Sequence, residues 1–475
     1  MPYFGASPSS TLASADLNGQ ALILDADADT TITADTDDQI DIRIAGADDF
    51  RFTANTLTAL SGSTVAIASG ATIANSGTAT GFTDLTAIAD GSAGSPSIAN
   101  SGDTNTGVFF PAADTVGITA GGTEQFRFGS NPIPGGGKNL VQNGAMTVMQ
   151  RGSTAVAADS TFAIDRYSNR LIGGGPARWT VTQDTTVPSG KGFGYSMKID
   201  VTTVDSSIST NDYHGVVHTI EAQNLQHLNF NNAASKSLTL TFWARAKKAG
   251  LHGGAIYNND ANRSLVFSWT AVSDEWQKVT VPIPAETSAG GINNDTGAGL
   301  SIYWSFSGGK YMASNTGAWV AGAYLSVTDA VNDFDSTSND FYLTGVQLEI
   351  GDLATDFAHE DIETTTSKCQ RYFWRATSGT NDMVGAGVCT ATTIASIIIH
   401  FPVRMRTTPT QSDTTPTQFY IYDDASAHYA SGVASTGYAD EYGDLLNFTT
   451  SSKTIGNGAV CVSVSNAILD FSAEL

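Results

Sequence analysis

No stretch of this sequence reaches the roughly 18 consecutive apolar residues that a membrane-spanning helix needs. Long amphipathic stretches at a 3.6-residue period are nearly absent, which argues against a helical bundle. Only 15% of the residues are charged, and 41% are hydrophobic. Three cysteines, Cys369, Cys389 and Cys461, are too few for a disulfide framework, and their odd number fits free, buried thiols. There is no Cys-x-x-Cys and no Gly-x-Ser-x-Gly elbow. Met1-Pro-Tyr-Phe-Gly has neither a basic nor an apolar leader region, so no signal peptide and no membrane insertion are expected. The first 136 residues hold no lysine and no tryptophan, and 15 acids face three arginines there. Beyond this point both residue types are present, so the composition itself marks a boundary.

What is abundant points to strands. Gly reaches 48 residues, and Thr, Ser, Ala and Asp dominate the rows. That composition suits many short strands joined by turns. A length of 475 residues implies two to four domains. A net charge of −23 repels phosphate backbones and makes nucleic acid an unsuitable partner.

The first segment repeats itself. Ile40-Asp-Ile-Arg-Ile-Ala-Gly46-Ala-Asp-Asp-Phe50-Arg-Phe52 returns 76 residues later as Val116-Gly-Ile-Thr-Ala-Gly-Gly122-Thr-Glu-Gln-Phe126-Arg-Phe128. Each copy alternates apolar and polar residues on both sides of a turn, the period of a half-buried hairpin. One hairpin cannot bury its apolar face alone. Residues 26–136 are therefore read as a slender β shaft whose face is buried against identical chains. Pro132-Ile-Pro-Gly-Gly-Gly-Lys138 reads as a hinge.

Beyond the hinge, Ser237–Arg245, Trp276–Pro284 and Phe341–Ile350 read as sandwich strands. In the last, Val346, Leu348 and Ile350 are expected inward, with Gln347 and Glu349 outward. A helix is expected at 361–373, with Ile362, Thr366, Cys369 and Phe373 on its buried stripe. Further strands follow to the end of the chain. The fold class is thus all-β: the shaft, a central jelly-roll sandwich at 137–363, and a small C-terminal β domain at 364–475 behind a short helix. Residues 1–25 are left as an attachment segment.

Several residues resemble a known family. Asn139-Leu-Val-Gln-Asn-Gly-Ala-Met146 with Ile164-Asp-Arg-Tyr167 resembles the opening of a jelly-roll module of bacteriophage tail fibres, itself similar to a carbohydrate-binding module. Val346-Gln-Leu-Glu-Ile-Gly351, Thr355-Asp-Phe357 and Cys369-Gln-Arg-Tyr-Phe373 resemble its close, and Phe401-Pro-Val-Arg-Met-Arg406 a signature that follows it. The resemblance implies a homotrimer, and a virion protein assembled in the host cytoplasm. It would be held at its N-terminus by a tail hub, nozzle or adaptor protein, and would attach to host surface polysaccharide or lipopolysaccharide. A purely structural connector and a tailspike depolymerase are the alternatives.

Among candidate site residues, the stretch Tyr420, Tyr422, His428, Tyr429, Tyr438 and Tyr442 has the composition of an adaptable binding surface. Trp269 and Trp304 are the candidate sugar-stacking rings of the sandwich. Asp25-Ala-Asp-Ala-Asp29 lacks the Gly and Glu that an EF-hand loop requires at its sixth and twelfth positions. No catalytic residue, metal or cofactor is expected.

Overall fold

The computed structural model describes residues 20–66, 68, 88–128, 139–287, 289–309, 311–313, 317–377, 379–413, 415–423, 426–464 and 466–475. The attachment segment up to residue 19, the hinge and most of the small-residue tract after residue 66 lie outside them. The chain divides into two compact units, Met1–Ala89 and Asp90–Leu475.

In the first unit the strands Leu22–Ile23, Thr31–Thr33, Ile40–Ile44, Ala47–Thr53 and Thr56–Ala59 form a five-stranded antiparallel meander. The first repeat is its central hairpin. Ile40 stands opposite Phe52 and Ile42 opposite Phe50. On the other face Asp41 is buried and takes Arg51 Nε at 2.7 Å. The second repeat, in the second unit, is the hairpin Val116–Ala120 and Thr123–Phe128 of a four-stranded sheet. Val116 faces Phe128 and Ile118 faces Phe126, and the register slips immediately after Ile118, as it does after Ile42. Both turns hold two successive residues at positive φ, Ala45–Gly46 and Gly121–Gly122. This is the turn geometry that matches strand twist. Ile40, Phe52, Ile118, Phe126 and Phe128 remain exposed within the single chain.

The two main sheets of the sandwich are antiparallel throughout. One sheet orders the strands Thr154–Val156, Arg178–Asp184, Ser196–Thr203, Asp340–Ile350, Leu238–Ala246 and Gln277–Ile283. The other orders Thr161–Phe162, Tyr167–Ile172, Tyr213–Glu221, Ala298–Gly308, Gly250–Asn258, Arg263–Ala271 and Val320–Ala321. Between them lies one core that includes Trp179, Leu240, Phe242, Trp304, Phe306 and Phe341.

Two local expectations are corrected. Gln347 and Glu349 do alternate away from the core, yet both are buried. Residues 355–358 fold over them: Glu349 accepts from Thr355 N at 2.9 Å, and Gln347 accepts from Ala358 N at 2.8 Å. The helix spans Ile362–Gln370 and is capped by Asp361, whose side chain accepts from Thr364 N at 2.8 Å. Its buried residues are Thr365 and Cys369, whereas Ile362 is exposed, so the inward stripe is rotated from the one expected.

In the C-terminal domain a seven-stranded sheet runs Ser426–Tyr429, Phe419–Asp423, Gly458–Ser463, Met383–Ala391, Ile394–His400, Gly443–Thr449 and Gly432–Ser435. Its two edge strands are consecutive in the chain. Ser431 N donates to Thr449 O at 2.7 Å and Thr450 Oγ1 to Tyr429 O at 3.2 Å, so the sheet curls nearly into a barrel. A three-stranded sheet of Phe373–Thr377, Leu469–Ser472 and Thr410–Asp413 adds to the core. All three cysteines are free and buried.

Sandwich and barrel meet through a buried ionic joint. Arg151 bridges Asp165 and Glu474, each at 3.0 Å, with its guanidinium 3.4 Å from the Phe373 ring centroid. Arg166 also pairs with Glu474 and lies 3.4 Å from the Tyr372 ring centroid. Arg371 takes Glu221 in two bonds of 2.7 and 3.0 Å, and Tyr372 adds a third at 2.9 Å. Asp165 and Arg166 of this joint lie in the segment Ile164–Tyr167, and Arg371 and Tyr372 in Cys369–Phe373.

Candidate carbohydrate-binding surface

The strand Phe419–Asp423 alternates strictly. Phe419 and Ile421 point into the barrel core, while Tyr420 and Tyr422 lie on its outer face. Tyr429 stands directly across from Tyr420, with ring centroids 3.9 Å apart, and Tyr422 lies 6.2 Å from Tyr420. A hydrogen bond with Tyr429 pushes the Tyr420 pKa up to about 12, so the Tyr420 hydroxyl stays protonated near neutral pH. Tyr422 is 44% and Tyr429 55% exposed.

The structure therefore brings together Tyr420, Tyr422 and Tyr429. It does not bring the other three to them. His428 pairs with Ile421 and so alternates to the opposite face. Tyr438 lies in the loop between Gly432–Ser435 and Gly443–Thr449. Tyr442 sits at the turn beside Arg404, whose guanidinium is 5.5 Å from its ring centroid.

Sequence reasoning missed how far this face extends. Register carries it from Tyr422 to Val460, Ala386, Ile398 and Leu445, and in a second row from Tyr420 to Val462 and Met383. Met383, Val388, Ile398 and Val460 are exposed. The signal was present in Gly458-Ala-Val460-Cys-Val462, where apolar residues fill both faces of one strand. Exposed apolar patches of this kind mark interaction surfaces.

The stacking role expected of Trp269 and Trp304 is corrected. Trp304 is 0% exposed and Trp269 9%, and both rings pack edge-on to Phe242 inside the sandwich. A ring with both faces in the core has none to offer a sugar. Asp25, Asp27 and Asp29 are exposed, and their carboxylates lie within 4.8 Å of one another.

No family model matches this sequence, and no curated protein matches it. Among solved structures, the enzymatically active domain of the bacteriophage CBA120 tailspike protein 4 is similar at 11% identity and a TM-score of 0.24. That match covers 45% of this chain and 22% of the tailspike chain. A family 11 carbohydrate-binding module of a Clostridium thermocellum cellulosomal cellulase is similar at 13% identity and a TM-score of 0.22, over 42% of this chain and 97% of the module. A xylan-binding domain from Paenibacillus barcinonensis is similar at 10% identity and a TM-score of 0.24, over 46% of this chain and 97% of that domain.

Proposed function

We propose that this chain is a non-enzymatic fibre protein of a phage virion, trimeric and assembled in the host cytoplasm, that binds host surface polysaccharide. Its N-terminus would be held by a tail hub, nozzle or adaptor protein. The observation that carries the binding part is the outward-facing group of half-buried Tyr420 with exposed Tyr422 and Tyr429 on the barrel. Aromatic rings stack on the apolar faces of sugars, and phenol hydroxyls bond their polar edges. Two exposed apolar hairpins of one repeated sequence support the trimer, because each has a face that a single chain leaves in water.

A second reading has its own support. Met383, Val388, Ile398 and Val460 continue the tyrosine face with aliphatic side chains, which suit a protein contact better than a sugar. In that reading the barrel docks another virion protein or another copy of itself.

The test is binding of purified host polysaccharide to the assembled protein and to the Tyr422→Ala, Tyr429→Ala double variant. Loss of about tenfold or more, with the mass in solution still near three times 49.5 kDa, supports the adhesin. Unchanged binding would move the sugar site elsewhere. A monomer in both proteins, with the hairpins still resistant to protease, would overturn the trimer.

A further inference from the structure

Two loops at one end of the sandwich bring a pair of buried acids together. Asp205 follows the strand Ser196–Thr203, and Asp212 precedes the strand Tyr213–Glu221. They are 6% and 3% exposed. Gly173-Gly-Gly175 passes against them. A Cβ placed on Gly175 would stand 2.5 Å from Asp205 Oδ2 and 2.9 Å from Asp212 Oδ2, so these oxygens are at most 5.4 Å apart.

Backbone amides hold the rest of both carboxylates. Gly174 N donates to Asp212 Oδ1 at 3.1 Å, Ser209 N to Asp212 Oδ2 at 3.3 Å, and Ser207 N to Asp205 Oδ1 at 3.2 Å. Asp205 Oδ2 is buried and has no hydrogen-bond partner.

Charge makes the pair unusual. Neither acid forms an ion pair with a Lys, Arg or His among the described residues, in contrast to the buried Asp165, Asp333 and Asp423. The nearby Arg178 spends its Nη1 on the carbonyls of Gly175 and Ala177, at 3.0 and 2.6 Å. Two desolvated carboxylates this close need a positive charge or a shared proton between them.

We infer that Asp205 and Asp212 form a calcium site that fastens the loop 204–212 to the glycine loop 173–175. Oxygen donors suit a hard cation, and calcium accepts an irregular shell that water completes. Two carboxylates and a wet shell predict a Kd of about 10⁻⁴–10⁻³ M, the range of extracellular modules. Any side chain at position 175 would stand between the ion and its ligands.

The experiment is calorimetric titration of the full-length protein with calcium chloride, paired with melting in calcium and in chelator. The wild type should bind one ion per chain at this site, and about 10 mM calcium should raise its Tm by roughly 3–6 °C. Asp205→Asn and Asp212→Asn should each abolish that binding and that rise. In chelator both variants should melt at or above the wild type, because a buried repulsion has been removed. Asp27→Asn, in the exposed acidic trio, should leave the rise intact. The inference is overturned by three results: a wild type that takes up no calcium, binding that survives both substitutions at the sandwich, or binding that only Asp27→Asn removes. It is also overturned if the Asn variants melt below the wild type in chelator, since the carboxylates would then be structural without an ion.

Discussion

Asp165 shows how one residue can work against the fold at neutral pH. Burial raises its pKa from 3.8 to about 6, although Arg151 and Gln150 pull the other way. A carboxyl with a raised folded pKa stabilises the fold fully below its unfolded value, and that contribution is lost as pH rises through the folded value. The window is therefore about pH 4 to 6, and about two pKa units correspond to at most about 3 kcal/mol. Asp165→Asn should be less stable than the wild type at pH 4.5 or nearly equal to it, and should gain relative to it by pH 7.5. Denaturant melts at the two pH values measure the difference, and a difference that is flat with pH would contradict it. Trp304 tests a separate point at the same scale. Its replacement by Ala should cost about 3–5 kcal/mol by opening a cavity in the sandwich, while folded variant protein binds polysaccharide normally. The buried thiols give a third expectation. Burial raises the pKa of all three cysteines, so a thiol reagent at neutral pH should modify none of them until the chain unfolds.

At the scale of the element, the strand Phe419–Asp423 carries two functions on its two faces. Outward it holds the tyrosines. Inward it ends at Asp423, which meets Lys453 Nζ at 2.9 Å with both side chains almost fully buried. Lys453 also donates to Ile421 O at 2.8 Å, tying the loop after Gly443–Thr449 to this strand. Removing one partner leaves a bare buried charge, so Lys453→Met should destabilise the barrel by about 3–5 kcal/mol. Lys453→Met with Asp423→Leu should recover most of that loss, which a double-mutant cycle reads directly. Elements of this kind also set the limit of what sequence can say. Alternation made the repeated hairpins legible, including the apolar face of each strand. Alternation also separated Val346 and Leu348 from Gln347 and Glu349. It could not reveal that residues 355–358 cover the polar side, because that contact is a matter of tertiary structure. The tyrosine stretch was visible as composition. Which three tyrosines share a face depends on the pairing of Tyr420 with Tyr429, which a loop-rich stretch does not announce. The tryptophans misled for a simple reason: type and position in the chain do not distinguish a core ring from an exposed one.

At the scale of the whole molecule, the domain boundary expected at residue 364 is not a mechanical one. Glu474, next to the last residue of the chain, binds Arg151 and Arg166 of the sandwich. Arg406 donates to Ala473 O at 2.6 Å and to Thr296 O at 2.8 Å, so the barrel's turn grips both the chain end and a sandwich loop. A joint of mostly buried charges resists rotation better than a flexible linker. Sandwich and barrel should therefore melt together. Glu474→Ala removes the shared carboxylate and leaves two guanidiniums facing each other, a change expected to cost about 3–5 kcal/mol. Scanning calorimetry of the intact protein should show one transition for the two domains, and the variant should split it, with the barrel melting first. Glu474→Gln, which keeps the shape without the charge, should fall between the two. If the variant's domains still melt as one at the wild-type temperature, the ionic joint does not couple them, and the apolar contacts around Tyr372 and Phe373 do.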